Sequence, residues 1–263
     1  LGIPVERVRC PFPDTRLVPD SGPTVASRTA MVVGNTVFLA ARQMKAELEM
    51  FAQAELLGDQ PTELVDGDVV GTFSGQRIPF EEVAETRLAK NGLMRVENRF
   101  KLSEKIRWNQ ETFEGDAYPA YSWGCNVVEV SIDPLTLELS VPKITAVYDI
   151  GTVINPVLAK GQIEGGLIQA LGYAMMEKIE IKDGHYDASR MQTYVIPTSM
   201  DIPRMDIEFV EYPYEDALPG AKGVGEIPMD GLAPALANAV EQAAGVRLKE
   251  IPITPEKLFE ALR

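Results

Sequence analysis

Between residues 27 and about 56 the apolar positions Met31, Val37, Leu39, Ala40, Met44, Leu48 and Phe51 recur at three- and four-residue spacing, which predicts one long amphipathic helix. Upstream, residues 1 to 10 read as a short strand-like run, followed by proline- and aspartate-rich connections at 11–15 and 19–23. Residues 53 to 78 are broken by Gly58-Asp59, Asp66-Gly67-Asp68 and Gly75, a pattern of loops and short strands. Pro79 at the first helical position, Glu81 and Glu82 in the first turn and Gly92 beyond the end bracket a short helix.

Alternation then replaces helical spacing. Residues 93 to 101 read as a strand, and 126–132 with 137–147 flank Asp133-Pro134-Leu135-Thr136 as a hairpin. A further helix is predicted over about 158–177, with Ile163, Leu167, Leu171 and Ala174 on one face. Its glycines, Gly161, Gly165, Gly166 and Gly172, point to close packing or ligand approach. Another helix, over about 235–244, stops at Gly245, and a short helix follows Ile251-Pro252-Ile253-Thr254-Pro255. The fold class expected is α+β, with mixed or antiparallel sheets and packed helices, no internal repeat and little sign of repeated βαβ units.

Composition narrows the function. At 263 residues and 45% apolar content the chain can bury a sizeable core. Its 39 acidic against 25 basic residues give a net charge of −14, which would repel a polyanion, so nucleic acid is not an expected partner. Cys10 and Cys125 are too few and too far apart for a disulfide framework, which suits a reducing, cytoplasmic compartment. The single histidine, His185, follows a predicted turn and is expected to be exposed, which removes a multi-histidine zinc site and a triad built on a buried histidine. Neither a membrane span nor a signal peptide is visible, and because the chain starts at Leu1 a processed or truncated start stays open. Tyr118, Tyr121 and Trp123 form an aromatic cluster for which core or hairpin packing is favoured over lining a substrate funnel.

The most informative local feature is Gly220-Ala221-Lys222-Gly223-Val224-Gly225-Glu226-Ile227-Pro228, one carboxylate among glycines ahead of an apolar helical stretch. Glycine permits positive φ and close backbone approach, so Glu226 is the leading catalytic candidate. A lone Glu in such a loop is more often a solvated surface acid, so its surroundings decide. The hydroxyl-rich stretch Thr24-Val25-Ala26-Ser27-Arg28-Thr29 is expected to open the long helix and to offer N–H and hydroxyl donors to an anion or polar cofactor, an ordinary helix cap being the alternative.

The glycine run, followed by Ala233-Pro234-Ala235-Leu236-Ala237-Asn238-Ala239-Val240 and by Pro252-Ile253-Thr254-Pro255-Glu256, resembles the C-terminal end of the molybdenum-cofactor-binding subunit of the xanthine dehydrogenase and aldehyde oxidoreductase family. Two more blocks agree: Asp14-Thr15 with residues 21–27, and Asp149-Ile150-Gly151 with Ile154-Asn155-Pro156 and Gly161-Gln162-Ile163-Glu164-Gly165. Residues 1–263 would then be the C-terminal molybdenum-cofactor-binding region, as one body or as two interleaved α+β subdomains. The family's upstream glycine-rich loop, its substrate-sandwiching aromatics and its iron–sulfur and flavin modules have no counterpart here. Two cysteines cannot supply the four thiolates of a [2Fe–2S] cluster.

The resemblance implies a subunit of a split enzyme, or a fragment of a longer one, that hydroxylates an electron-poor carbon of a purine or other N-heteroaromatic with water-derived oxygen. Aldehyde oxidation by the same site and a non-catalytic assembly half are the alternatives. It implies a molybdenum–molybdopterin cofactor, as the mononucleotide or the cytosine dinucleotide, with iron–sulfur clusters and FAD on partner subunits. A further partner would carry the N-terminal part of the molybdenum-binding region. Carried over by position, Glu226 is the general base. Ala26 places backbone against the molybdenum's ligands or substrate, Ser27, Arg28 and Thr29 offer donors to the pterin and its phosphate, and Thr24 and Val25 belong to the same contact. Gln162 would hydrogen-bond the pterin, Lys222 would assist near Glu226 or the cofactor, and Gly223, Val224 and Gly225 would lie against the cofactor. No protein atom is expected to ligate the metal. Val25 and Ile227 depart from the family pattern, which weakens transfer of a substrate from any one relative.

Overall fold

The computed structural model describes residues 1–263, which fold into two compact units. One comprises Leu1–Pro23 and Val32–Leu102, the other Thr24–Met31 and Ser103–Arg263.

In the first unit, helix α1 (Asn35–Glu55) is followed by strands β1 (Thr62–Val65), β2 (Asp68–Gly71) and β3 (Arg77–Pro79), an antiparallel meander, and by helix α2 (Phe80–Asn91). Leu48 and Ala52 of α1, Leu64, Val69 and Ile78 of the sheet and Val83 of α2 form its buried core. The long helix thus starts later than the spacing predicts. Ala26 and Ser27 sit at φ 51° and 50°, a left-handed conformation that an α-helix cannot contain, and Ala30–Gly34 is a π-helical turn leading into α1. Pro79 is the residue before α2 rather than its first, and Gly92, at φ 77°, closes it.

Residues 1–10 form no strand. Val5–Arg7 is a short 3-10 turn in which the Arg7 N–H donates to Pro4 C=O at 3.1 Å. Residues 93–101 are also irregular. In both places the alternation is present but no neighbouring strand supplies a hydrogen-bonding ladder, and a lone strand is not stable.

The second unit opens with a two-stranded pair, β4 (Trp108–Asn109) and β5 (Glu114–Gly115). The expected hairpin is β6 (Trp123–Ile132) with β7 (Leu139–Asp149), in register from Trp123 opposite Asp149 to Ile132 opposite Leu139, with a bulge between Glu129 and Ser131. The Asp133 carboxylate accepts N–H bonds from Leu135 and Thr136 and so stabilises the turn, and Leu137 adopts φ 58°.

Helix α3 (Pro156–Met175) follows, then the small pair β8 (Ile181–Lys182) and β9 (His185–Tyr186), which leaves His185 exposed. Strand β10 (Arg204–Phe209), which the sequence pattern did not reveal, pairs parallel to β7 from Arg204 opposite Lys143 to Phe209 opposite Tyr148. Parallel neighbours need a crossover, and α3 provides it, so the unit contains one β-α-β connection. Helices α4 (Ile227–Asp230), α5 (Leu232–Ala244) and α6 (Pro255–Leu262) complete the chain, α5 ending at Gly245 at φ 75°.

Ile144, Ala146 and Tyr148 of β7 face Ile163, Leu167, Ala170, Leu171 and Ala174 of α3 and Leu232, Leu236 and Val240 of α5 in one core. Each leucine fully buried there stabilises the fold by about 1.5–3 kcal/mol. Gly166 of α3 has a specific task, since a Cβ there would stand 2.6 Å from Pro228. Its absence lets α4 seat against α3 and fixes where Glu226, two residues earlier, emerges. The opposite face of β6 is open, with Trp123 69% and Val127 58% exposed. Tyr118 and Tyr121 stack edge to face at 6.1 Å but are also exposed, so the aromatic cluster is not core packing.

Candidate active site

The glycine run is stitched to the end of β7. Beyond Asp149 the chain turns through Gly151 at φ 68°. There the Lys222 N–H donates to Ile150 C=O at 2.8 Å and the Thr152 N–H to Gly220 C=O at 3.1 Å. Lys222 Nζ lies 2.7 Å from Asp149 Oδ2 and 5.2 Å from the Tyr212 ring centroid. The pair is enclosed, Lys222 at 6% and Asp149 at 12% side-chain exposure. Asp149 Oδ1 accepts the N–H groups of Gly151 at 2.9 Å and Tyr212 at 3.2 Å. Burial alone would raise its pKa. The Lys222 ammonium and the two N–H donors outweigh that and hold the carboxyl below the usual carboxylate range.

Past this anchor three side chains hold the loop. Ser122 Oγ donates to Gly223 C=O at 2.5 Å, and Gln162 Nε2 of α3 donates to Gly225 C=O at 3.2 Å. Ser27 Oγ donates to Glu226 Oε2 at 3.0 Å. The glycines serve the Ser27 turn: a Cβ on Gly223 would stand 2.9 Å from Ser27 Cβ and from its carbonyl oxygen, and a Cβ on Gly225 would stand 2.9 Å from Ser27 Oγ. The turn thus nests into the loop through the space that side chains would fill.

A cavity of about 490 Å³ opens beside this nest. Ser27, Thr29 and Ala30 line one side, Ile150, Thr152, Ile154 and Asn155 another, Leu158, Ala159 and Gln162 of α3 a third, and Ala221, Lys222, Val224 and Gly225 the last. Its walls are mainly apolar with a few hydroxyl and amide groups, the pattern of a small-molecule site. No three His, Cys, Asp or Glu side chains converge on a point that could hold a metal ion.

Of the expected site residues, Ser27, Thr29, Gln162, Lys222, Val224 and Gly225 line this cavity together. Thr24, Val25 and Ala26 are exposed just ahead of it, and Arg28 and Gly223 are half-buried outside the lining. Helical backbone begins at Thr29, after the left-handed turn at Ala26 and Ser27, so Thr29 opens the helix while Thr24, Val25, Ala26, Ser27 and Arg28 lie ahead of it. Glu226 is exposed, so this chain alone does not shield its carboxylate from water. Lys222 directs its ammonium to Asp149 rather than into the cavity as a free cation.

Against known proteins, residues 1–203 match the molybdopterin cofactor-binding domain. The chain belongs to the molybdopterin cofactor-binding domain family. This molybdopterin-binding chain is 30% identical to the "Xanthine dehydrogenase molybdenum-binding subunit" of Escherichia coli, over 99% of its own length and 34% of that protein. It is 28% identical to the "Aldehyde oxidoreductase" of Megalodesulfovibrio gigas, over its whole length but over 26% of that protein. Among solved structures it superposes on quinoline 2-oxidoreductase from Pseudomonas putida 86 with a TM-score of 0.74 at 26% identity, over 91% of this chain and 30% of that one. The chain is therefore part of a molybdopterin-binding subunit of the xanthine dehydrogenase and aldehyde oxidoreductase family, spanning about a third or less of these relatives' length. The α+β class expected from the sequence is that of these neighbours.

Two contacts escaped the sequence reading. Asp149 pairs with Lys222 across 73 positions, a separation no local pattern encodes. Ser122 lies between Tyr121 and Trp123, and its partner, Gly223, is 101 positions away. A polar residue amid aromatics at the mouth of a strand was the available signal.

Proposed function

We propose that this chain is the distal part of the molybdopterin-binding subunit of a molybdenum hydroxylase, and that Glu226 is its general base toward an electron-poor carbon of a purine or other N-heteroaromatic. The observation that carries the reading is the Ser27 to Glu226 hydrogen bond, because Ser27 both lines the cavity and grips the carboxylate. The donor set suits a pterin. Thr29, Gln162 and the Val224 and Gly225 backbone offer neutral polar groups to its edges, while Ile150, Ile154 and Leu158 offer apolar surface to its rings. With no cluster of metal-binding side chains, the metal would arrive with ligands of its own. When bound, the cofactor supplies two-electron oxidation with oxygen drawn from water.

In this reading the chain's own residues position and move a proton. Glu226 accepts it, Ser27 orients the carboxylate, and Gln162 and Ser122 hold the loop that carries it. The pterin is the mononucleotide or cytosine dinucleotide form. The chain works, in the cytoplasm, with a subunit carrying the N-terminal part of the molybdenum-binding region, which the share of each relative that it spans supports, and with an iron–sulfur subunit and an FAD subunit. Aldehyde oxidation is the second reading, favoured by the relative named aldehyde oxidoreductase. Turnover of the assembled enzyme on purines, quinoline-type heteroaromatics and aldehydes decides between them. Reduction by the first two classes supports the first reading, and reduction by aldehydes alone overturns it.

A further inference from the structure

We infer that Ser27 is a positioning residue for Glu226 rather than a ligand of the cofactor, an inference that rests on Glu226 being the base. Ser27 sits at φ 50° directly after Ala26 at φ 51°. Two successive non-glycine residues in this region are strained, and such strain persists only where the surroundings impose it. Here the space at Gly223 and Gly225 admits the turn, and the bond to Glu226 holds it. Each glycine lacks the Cβ that would strike Ser27, at 2.9 Å in both cases, and the turn fills the space they leave. Its product is a single directed contact, Ser27 Oγ donating to Glu226 Oε2 at 3.0 Å across 199 positions of sequence.

The geometry explains why this loop needs glycine and why a hydroxyl stands at position 27. A carboxylate on an exposed loop rotates freely about its side-chain bonds, and a base must meet its proton within hydrogen-bond reach. A donor on one oxygen, anchored to a strained turn, removes that freedom. The same bond commits the hydroxyl proton to Glu226, so Ser27 cannot donate it to a pterin at the same time. Holding the base and donating to the cofactor are therefore competing uses of one hydroxyl proton.

The test is Ser27→Ala in the assembled, molybdenum-loaded enzyme, with Ser27→Gly beside it because glycine takes the left-handed turn without strain. Both variants should lose about ten-fold in kcat, the scale of one hydrogen bond to a charged group, with KM and with molybdenum and pterin content changed less than about two-fold. Adding Ser27→Ala to Glu226→Gln should cause no further loss, since the two act as a unit. A fall in pterin content parallel to activity would make Ser27 a cofactor ligand and overturn the inference. Normal kcat in both variants overturns it too, as does recovery of kcat in Ser27→Gly, which would assign the loss to backbone strain. If Glu226→Gln itself turns over normally, the base assignment falls and the inference with it. If Glu226→Gln is inactive while Ser27→Ala is unaffected, the inference falls alone.

Discussion

Lys222 and Asp149 form an enclosed ion pair, Nζ to Oδ2 at 2.7 Å, that pins the glycine run to the end of β7. Removing one partner of such a pair strands the other charge. Lys222→Met should therefore lower the stability of the purified chain by about 3 kcal/mol, while Lys222→Met with Asp149→Asn should recover much of the loss. Denaturant unfolding of the three proteins measures this. An unchanged Lys222→Met midpoint would return Lys222 to the role of a cofactor contact alone.

The same pair sets a pH dependence. The Asp149 carboxyl is held below its ordinary range in the folded chain, so its contribution is complete above the unfolded value of about 3.9 and is lost as pH falls through the folded value. Asp149→Asn should melt below the parent near neutral pH, with the gap closing in acid. Thermal melts between about pH 7 and pH 3 report it, and a gap that widens in acid would reverse the sign.

How far the site was legible depends on sequence separation. The β6 to β7 hairpin, α3, α5 and the Gly92 and Gly245 stops follow from local periodicity and turn chemistry, and the structure has them close to where the spacing places them. Strand β10 was missed because its six residues become a strand only by lying beside β7, across the α3 crossover. Residues 93–101 show the converse, an alternating pattern with no ladder partner. At the site, the glycines and Glu226 stood out as a motif, but the reason for the glycines did not. That reason is the Ser27 turn, nearly 200 positions away.

The two loop glycines should respond differently to alanine. At Gly223 the new Cβ meets Ser27 backbone, which cannot swing aside, so Gly223→Ala should displace the turn and lower both stability and cofactor content. At Gly225 it meets only the Ser27 hydroxyl, so Gly225→Ala should rotate that hydroxyl off Glu226 and lower kcat with stability nearly unchanged. Equal effects of the two variants on melting temperature would contradict this division.

The open face of β6 exposes Trp123, Cys125 and Val127 to solvent on an edge strand. Apolar side chains in that position invite association. The chain expressed alone should self-associate, and Trp123→Ser with Val127→Thr should reduce this in sedimentation velocity without changing the stability by more than about 1 kcal/mol. A monodisperse parent chain at high concentration would argue against an uncovered interface.

The central claim is that Glu226 is the base. The direct measurement is single-turnover reduction of the assembled enzyme by saturating substrate, comparing Glu226→Gln and Glu226→Ala with the parent at equal molybdenum occupancy. A general base contributes about 10²–10⁴-fold, so both variants should lose at least a hundred-fold in rate with substrate affinity changed far less. Retention of more than about a tenth of the parent rate in Glu226→Ala would contradict the assignment.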